Sequence, residues 1–203
     1  MTEPWNAKLG RIASYYENLV AAYGHDPRAC DYGRRSSQES KFSILADALP
    51  LDGRSVLDVG CGFADFSDHL RARYPSVVYE GVDITDAMVT QAQARHPDLL
   101  IRKLDILESD PGRTYDLVTA NGIFYLLGDS APDFMRSLIS RMFALANKAV
   151  AFNSLSTWAP HQEPGEFYAD PLQIMEFCRS LSPRLVLRHD YLLHDFTIIL
   201  YKA

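Results

Sequence analysis

The chain has 203 residues, 47% of them hydrophobic and 23% charged, which is the make-up of one globular domain with a sizeable core. Its formal net charge of −6 speaks against a large basic surface for nucleic acid, so small molecules are the expected partners. The three cysteines, Cys30, Cys61 and Cys178, are scattered and odd in number, which excludes a disulfide framework and a zinc cluster and fits a reducing compartment.

The opening "MTEPWNAKLG" has neither a basic start nor an apolar centre, and no apolar run approaches a membrane span of ~20 residues. A cytoplasmic protein is expected. Ile12, Tyr15, Tyr16, Leu19, Val20 and Tyr23 repeat with helical spacing until Gly24 and Pro27 interrupt them. The tyrosines Tyr15 and Tyr16 read first as packing residues of this helix. A loop, "CDYGRRSS", leads to a second helix, where Ser36 and Glu39 have capping-box spacing and Phe42, Leu45, Ala46 and Leu49 share a face.

From residue 54 the pattern alternates. "SVLDVG", "VVYEGVD", "LLIRKLD", "YDLVTANG" and "KAVAFNS" read as buried strands. Helices are expected over 63–74, over 85–96 with Thr85 as N-cap, and over 131–146 with Pro132 in its first turn. Such alternation specifies βαβ units and a parallel sheet covered on both faces. The ending differs. After a helix capped by Asp170 and begun by Pro171, the segments "RLVLRHDY" and "DFTIILYK" are separated by only a short turn, so the sheet should finish antiparallel. His189, Asp190, His194 and Asp195 flank that turn and read as turn residues.

In "LDVGCGFADFSDHL" a strand ends in an acid, and Gly60 and Gly62 follow where a helix starts. Glycines let a ligand approach the backbone, and the helix start offers free N–H groups, although two glycines alone also serve an ordinary tight turn. A dinucleotide fingerprint would place a third small residue where Asp65 stands, and a carboxylate there would repel a pyrophosphate. Asp58, Asp83 and Asp105 each close a strand, which puts three acids on one rim of the sheet. Asp83 follows the loop at the distance from which an acid holds ribose hydroxyls.

The stretches "VLDVGCGFAD", "YEGVDIT", "IRKLDIL" and "YDLVTANGIFYLL" resemble, in order and spacing, the motifs of class I S-adenosylmethionine-dependent methyltransferases. The resemblance covers roughly residues 54 to 153. It implies a Rossmann-like, doubly wound α/β sheet, mostly parallel with an antiparallel last strand, and S-adenosyl-L-methionine as cofactor. By position, Gly60 and Gly62 would face the methionine part, with Asp58 near its amino group. Asp83 would take the ribose hydroxyls, Ile84 and Met88 would pack on adenine, and Asp105 and Ile106 would lie at the adenine edge. Asn121 and Gly122 would face the methionine and the acceptor. Ala64 replaces a third glycine, for which a slightly stiffer loop is expected.

Three parts of one domain follow: a helical lid over 1–50, a cofactor core over 54–153, and an acceptor loop, helix and hairpin over 154–203. Tyr16, Tyr32, Arg34 and Gln38 are the lid candidates for cofactor or acceptor contact. Arg34 equally reads as solvated charge, or as a bidentate carboxylate holder. In the long segment "NSLSTWAPHQEPGEFYADP", Asn153, Trp158, His161, Glu163 and Tyr168 are candidates for the acceptor pocket. His161 is the candidate general base, and a plain surface histidine is the competing reading. The expected activity is methyl transfer to an oxygen or nitrogen of a small molecule, a carboxylate included, without a metal. A nicotinamide-dependent oxidoreductase and a non-catalytic cofactor-binding protein are the alternatives.

Overall fold

A computed structural model describes residues 5–30, 35–128 and 131–202. Two helices, α1 (Trp5–Tyr23) and α2 (Arg35–Ala46), precede the sheet, with a short 3-10 turn at Pro27–Cys30 between them. The sheet strands are β1 (Ser55–Val59), β2 (Val78–Asp83), β3 (Leu100–Lys103), β4 (Tyr115–Ala120), β5 (Ala146–Leu155), β6 (Leu185–Leu192) and β7 (Asp195–Tyr201). The connecting helices are α3 (Asp65–Arg73), α4 (Asp86–Arg95), α5 (Ala131–Leu145) and α6 (Pro171–Leu181). The strand order is β3-β2-β1-β4-β5-β7-β6. β1 to β5 run parallel, and β7 lies antiparallel between β5 and β6.

Both faces of this sheet are buried, which explains why its strands read as near-continuous apolar runs. Alternate residues divide between two cores. Leu57, Val59, Val118 and Ile198 pack with α5 and α6. Val56, Leu117, Ala149 and Ile199 pack with α2, α3 and α4. Met135, Leu138, Ile139, Met142 and Leu145 give α5 one buried stripe at helical spacing. α6 begins as its sequence dictates: the Asp170 side chain accepts from Leu172 N and Gln173 N, and Pro171 occupies a position that needs no donor.

Two local expectations need correction, and a third holds in position. α2 begins at Arg35, so Ser36 lies inside the helix and cannot be its N-cap, and its carbonyl accepts from the Ser40 hydroxyl at 2.9 Å. Thr85 does occupy the N-cap of α4, but its side chain makes no cap bond. The final turn is shorter than expected: His189 and Asp190 lie within β6, and Asp195 opens β7. Asp195 is fully buried and forms an ion pair with the buried Lys41 at 2.5 Å, a contact with no local sequence signal.

Parallel strands that reverse order between β1 and β4 leave a crevice at their carboxyl ends, and that is where ligands of such sheets bind. The acids expected on the rim are there. Asp83 ends β2, and Asp105 lies just past β3, whose pairing with β2 continues through Leu104 N to Asp83 O at 3.0 Å.

Candidate active site

Gly60 N and Cys61 N both donate to Val82 O, at 2.8 and 3.1 Å, so the chain leaving β1 folds sharply over the end of β2. Gly60 has a φ of 73°, and a Cβ on it would lie 2.4 Å from Ile123 Cγ2. Gly62, with φ 53°, turns its N–H to Asp83 Oδ2 at 2.9 Å. Ala64 adopts the left-handed conformation too, at φ 62°. An alanine held there carries about 1–2 kcal/mol of backbone strain.

The carboxylates are wired into the scaffold. Asp58 is buried, and it accepts from Tyr79 OH at 2.7 Å and Thr119 Oγ1 at 2.9 Å. Burial pushes its carboxyl up to about 6 in spite of those two donors, and the neighbouring Asp83 adds to the rise. Asp83 accepts from Thr85 N at 2.9 Å as well as from Gly62 N, and burial raises it above the usual carboxylate range. Each carboxylate oxygen retains a lone pair, so Asp83 can tie down the glycine loop and still accept two further hydroxyls. Asp105 is half-buried and accepts from Leu107 N at 2.9 Å.

Around these groups lies a cleft of about 1090 Å³. Asp58, Gly60, Gly62, Asp83, Ile84, Met88, Asp105, Ile106, Asn121, Gly122 and Gln38 all line it. Tyr32 and Arg34 lie outside the described residues. The lid candidate Tyr16 of α1 lines the cleft, which also has walls that the sequence did not announce: Leu9 and Ile12 from α1, and Phe134 and Leu138 from α5. α1 is fastened to the segment after β4. Lys8 Nζ donates to Leu127 O at 2.6 Å, and Tyr16 OH lies 2.9 Å from Tyr125 OH. Tyr16 is therefore a cleft residue, while Tyr15 is exposed and packs edge-on against it. Asp65 also lines the cleft but is paired with His25 at 2.9 Å and Arg95 at 3.6 Å. Its expected repulsion of a pyrophosphate is thereby blunted.

A second cavity of about 570 Å³ shares Cys30 and Gly122 with the cleft. Asn153, Ser154, Leu155, Tyr125, Glu166, Lys41 and Asp195 line it, so its wall is largely polar. Of the acceptor candidates only Asn153 is present. Trp158, His161 and Glu163 are exposed and line neither cavity, and Trp158 instead stacks on His189. Tyr168 donates to Glu166 Oε2 at 2.7 Å and accepts from Glu163 N, and it is Glu166 that reaches the cavity.

A family model described as a methyltransferase domain matches residues 57–148. A putative methyltransferase of Mycobacterium tuberculosis is 29% identical over 159 residues, which is 75% of this chain and 95% of that protein. The trans-aconitate 2-methyltransferase of Methylobacterium radiotolerans is 34% identical over 50% of this chain, which spans only 37% of that protein's length. Among solved structures, the magnesium protoporphyrin IX methyltransferase of Synechocystis with bound SAM superposes with a TM-score of 0.70 at 16% identity, covering 97% of both chains. A DhpI complex with SAH gives 0.68 at 16% identity, again over 97% of each. These likenesses share a fold, and their solved members carry the cofactor or its demethylated product.

Proposed function

We propose that this chain is a class I S-adenosylmethionine-dependent methyltransferase and that it methylates an oxygen or nitrogen of a small molecule seated in the cavity behind Gly122. The observation that supports this reading is the shared wall: Gly122 and Cys30 border both the cofactor cleft and the polar cavity beside it. The residues present suit the cofactor. A rim of buried carboxylates accepts hydroxyl and ammonium donors, and the crowded Gly60 leaves no side chain between ligand and backbone.

In this reading Asp83 holds the ribose hydroxyls, Asp58 faces the amino group, and Ile84, Met88, Asp105 and Ile106 surround the adenine. When bound, S-adenosylmethionine supplies an electrophilic methyl on a charged sulfur, a good leaving group that needs no metal. What the chain adds is alignment and exclusion of water, by which a displacement of this kind is accelerated most. Leu9, Ile12 and Phe134 give the cleft apolar walls suited to excluding water around the bound cofactor. No step is assigned to His161, which lies outside both cavities. The oxidoreductase alternative is not favoured by the likenesses. Among the described residues no helix is long and apolar enough to cross a membrane. A cytoplasmic location is part of the same proposal, and the three scattered free cysteines fit a reducing compartment.

The relatives named for trans-aconitate and for malonyl-acyl carrier protein act on acids, which makes a carboxylate oxygen one acceptor to test. Methyl-labelled S-adenosylmethionine should be incubated with the protein and with separate pools of small acids, alcohols, phenols and amines. Protein-dependent label in one pool is expected, and its release as methanol in mild base would identify an ester. Label appearing only in added protein or RNA would overturn the small-molecule reading.

Cofactor affinity should depend on pH through Asp58. Its carboxyl is raised to about 6 in the folded chain, so below that pH a proton must be removed before an ammonium is accepted beside it. The affinity should therefore be full near neutrality and fall about tenfold between roughly pH 7 and pH 5. Calorimetric titrations across that window should show the fall in the wild type and a much flatter profile in Asp58→Asn. For folding the sign is opposite to that of an ion-paired acid. The favourable contribution is present below the ordinary carboxylate range and is lost as pH rises through about 6.

A further inference from the structure

Asn153 is a fully buried amide on β5, in a run where Ala149, Val150, Ala151 and Phe152 are apolar and equally buried. Its Oδ1 accepts from Gly122 N at 2.7 Å, and its Nδ2 donates to Asn121 Oδ1 at 2.5 Å. The orientation of the amide is forced, because a backbone N–H can only donate and so must face the oxygen. Both bonds land on the turn by which the chain leaves β4, where Gly122 takes a left-handed φ of 69°. That turn is the wall between the two cavities: Asn121 and Gly122 line the cleft, while Gly122 and Asn153 line the cavity beside it.

We propose that Asn153 is a positioning residue that fixes the Asn121–Gly122 turn against the cofactor's methyl group. The proposal rests on the methyltransferase reading and goes beyond it, since neither the resemblance nor the likenesses give this β5 amide a task. The physical case is one of reach and count. Only a side chain of this length carries an acceptor and a donor on one carbon, and so grips both residues of the turn from the neighbouring strand. A serine is too short to span both. An aspartate keeps an acceptor for Gly122 N but sets a second acceptor against Asn121 Oδ1. Transfer geometry is sensitive on this scale, since a misplacement of about 1 Å costs on the order of 100-fold in rate. The adenosine half of the site, held by Asp83 and Met88, makes no contact with Asn153 and should not register the change.

The test uses S-adenosylmethionine labelled with carbon-13 in the methyl group, bound to the full chain and observed by proton–carbon correlation spectroscopy. The wild type, Asn153→Ser, Asn153→Asp and the remote core variant Met142→Ala are compared, together with their affinities for S-adenosylhomocysteine. The bound methyl resonance is expected to move by more than its linewidth in Asn153→Ser and to a lesser degree in Asn153→Asp. It should stay in place in Met142→Ala, and product affinity should remain within about threefold throughout. If Asn153→Ser does not fold, Asn153→Asp carries the test. Coincidence of both Asn153 resonances with the wild type, or an equal displacement in Met142→Ala, would overturn the proposal and leave Asn153 a structural residue. Absence of any bound methyl signal in the wild type would instead defeat the cofactor reading on which the proposal stands.

Discussion

Asp83→Ala is expected to lower the affinity for S-adenosylmethionine and S-adenosylhomocysteine alike by two to three orders of magnitude. The side chain has two tasks, and the substitution removes both. Toward the ligand it offers lone pairs to a pair of hydroxyls, and hydrogen bonds to a charged acceptor contribute about 1.5–3 kcal/mol each. Toward the protein it anchors Gly62 N and Thr85 N, each at 2.9 Å, and so holds the glycine loop against the end of β2. Asp83→Asn separates the tasks. An amide retains one acceptor, so one of the two backbone donors keeps its partner while the other meets an N–H₂ group. A loss of about ten- to a hundredfold is expected for that variant, with the fold retained. Calorimetric titration with both ligands, beside a thermal melt, measures each quantity. Unchanged affinity in Asp83→Ala would mean that Asp83 is scaffold for the loop and that the ribose is held elsewhere.

The rim was legible because each of its acids lies at or just past the end of a strand. Asp58 and Asp83 interrupt apolar runs at the point where a parallel strand must give way to a turn, and the carboxyl ends of such strands form one edge. The antiparallel ending was legible for a similar reason, since a short connection forbids a crossover. The walls of the cleft were not. Leu9 and Ile12 form an apolar stripe that reads the same whether it covers a core or a ligand, and only the docking of α1 through Lys8 and Tyr16 decides between them. Asp195 looked like a turn acid because its partner, Lys41, lies on α2, far away in sequence. The segment after β5 was read as functional by its length, but length does not aim a side chain: Glu166 turns inward and His161 outward. Ser36 carried the right spacing for a cap but lies inside the helix, which already includes Arg35.

Gly60→Ala should cost about 2–5 kcal/mol of stability, and the penalty should depend on Ile123. Two separable effects combine at this position. The left-handed φ of 73° would charge an alanine about 1–2 kcal/mol wherever it occurred. The added methyl would also lie 2.4 Å from Ile123 Cγ2, closer than real Cβ atoms come, and overpacking of this kind costs about 1–3 kcal/mol. Removing the opposing group distinguishes them. In an Ile123→Ala background the steric part disappears and the backbone part stays, so the same Gly60→Ala step should cost only about 1–2 kcal/mol. The denaturant midpoints of the four proteins in this cycle give the coupling directly. Ile123 follows Gly122 in the wall of the cleft, so relief of the clash by movement would push the turn that Asn153 holds. Cofactor affinity should accordingly drop in Gly60→Ala and recover in part in the double variant. Equal penalties in both backgrounds would show that Ile123 yields freely and that the glycine is required by its backbone conformation alone.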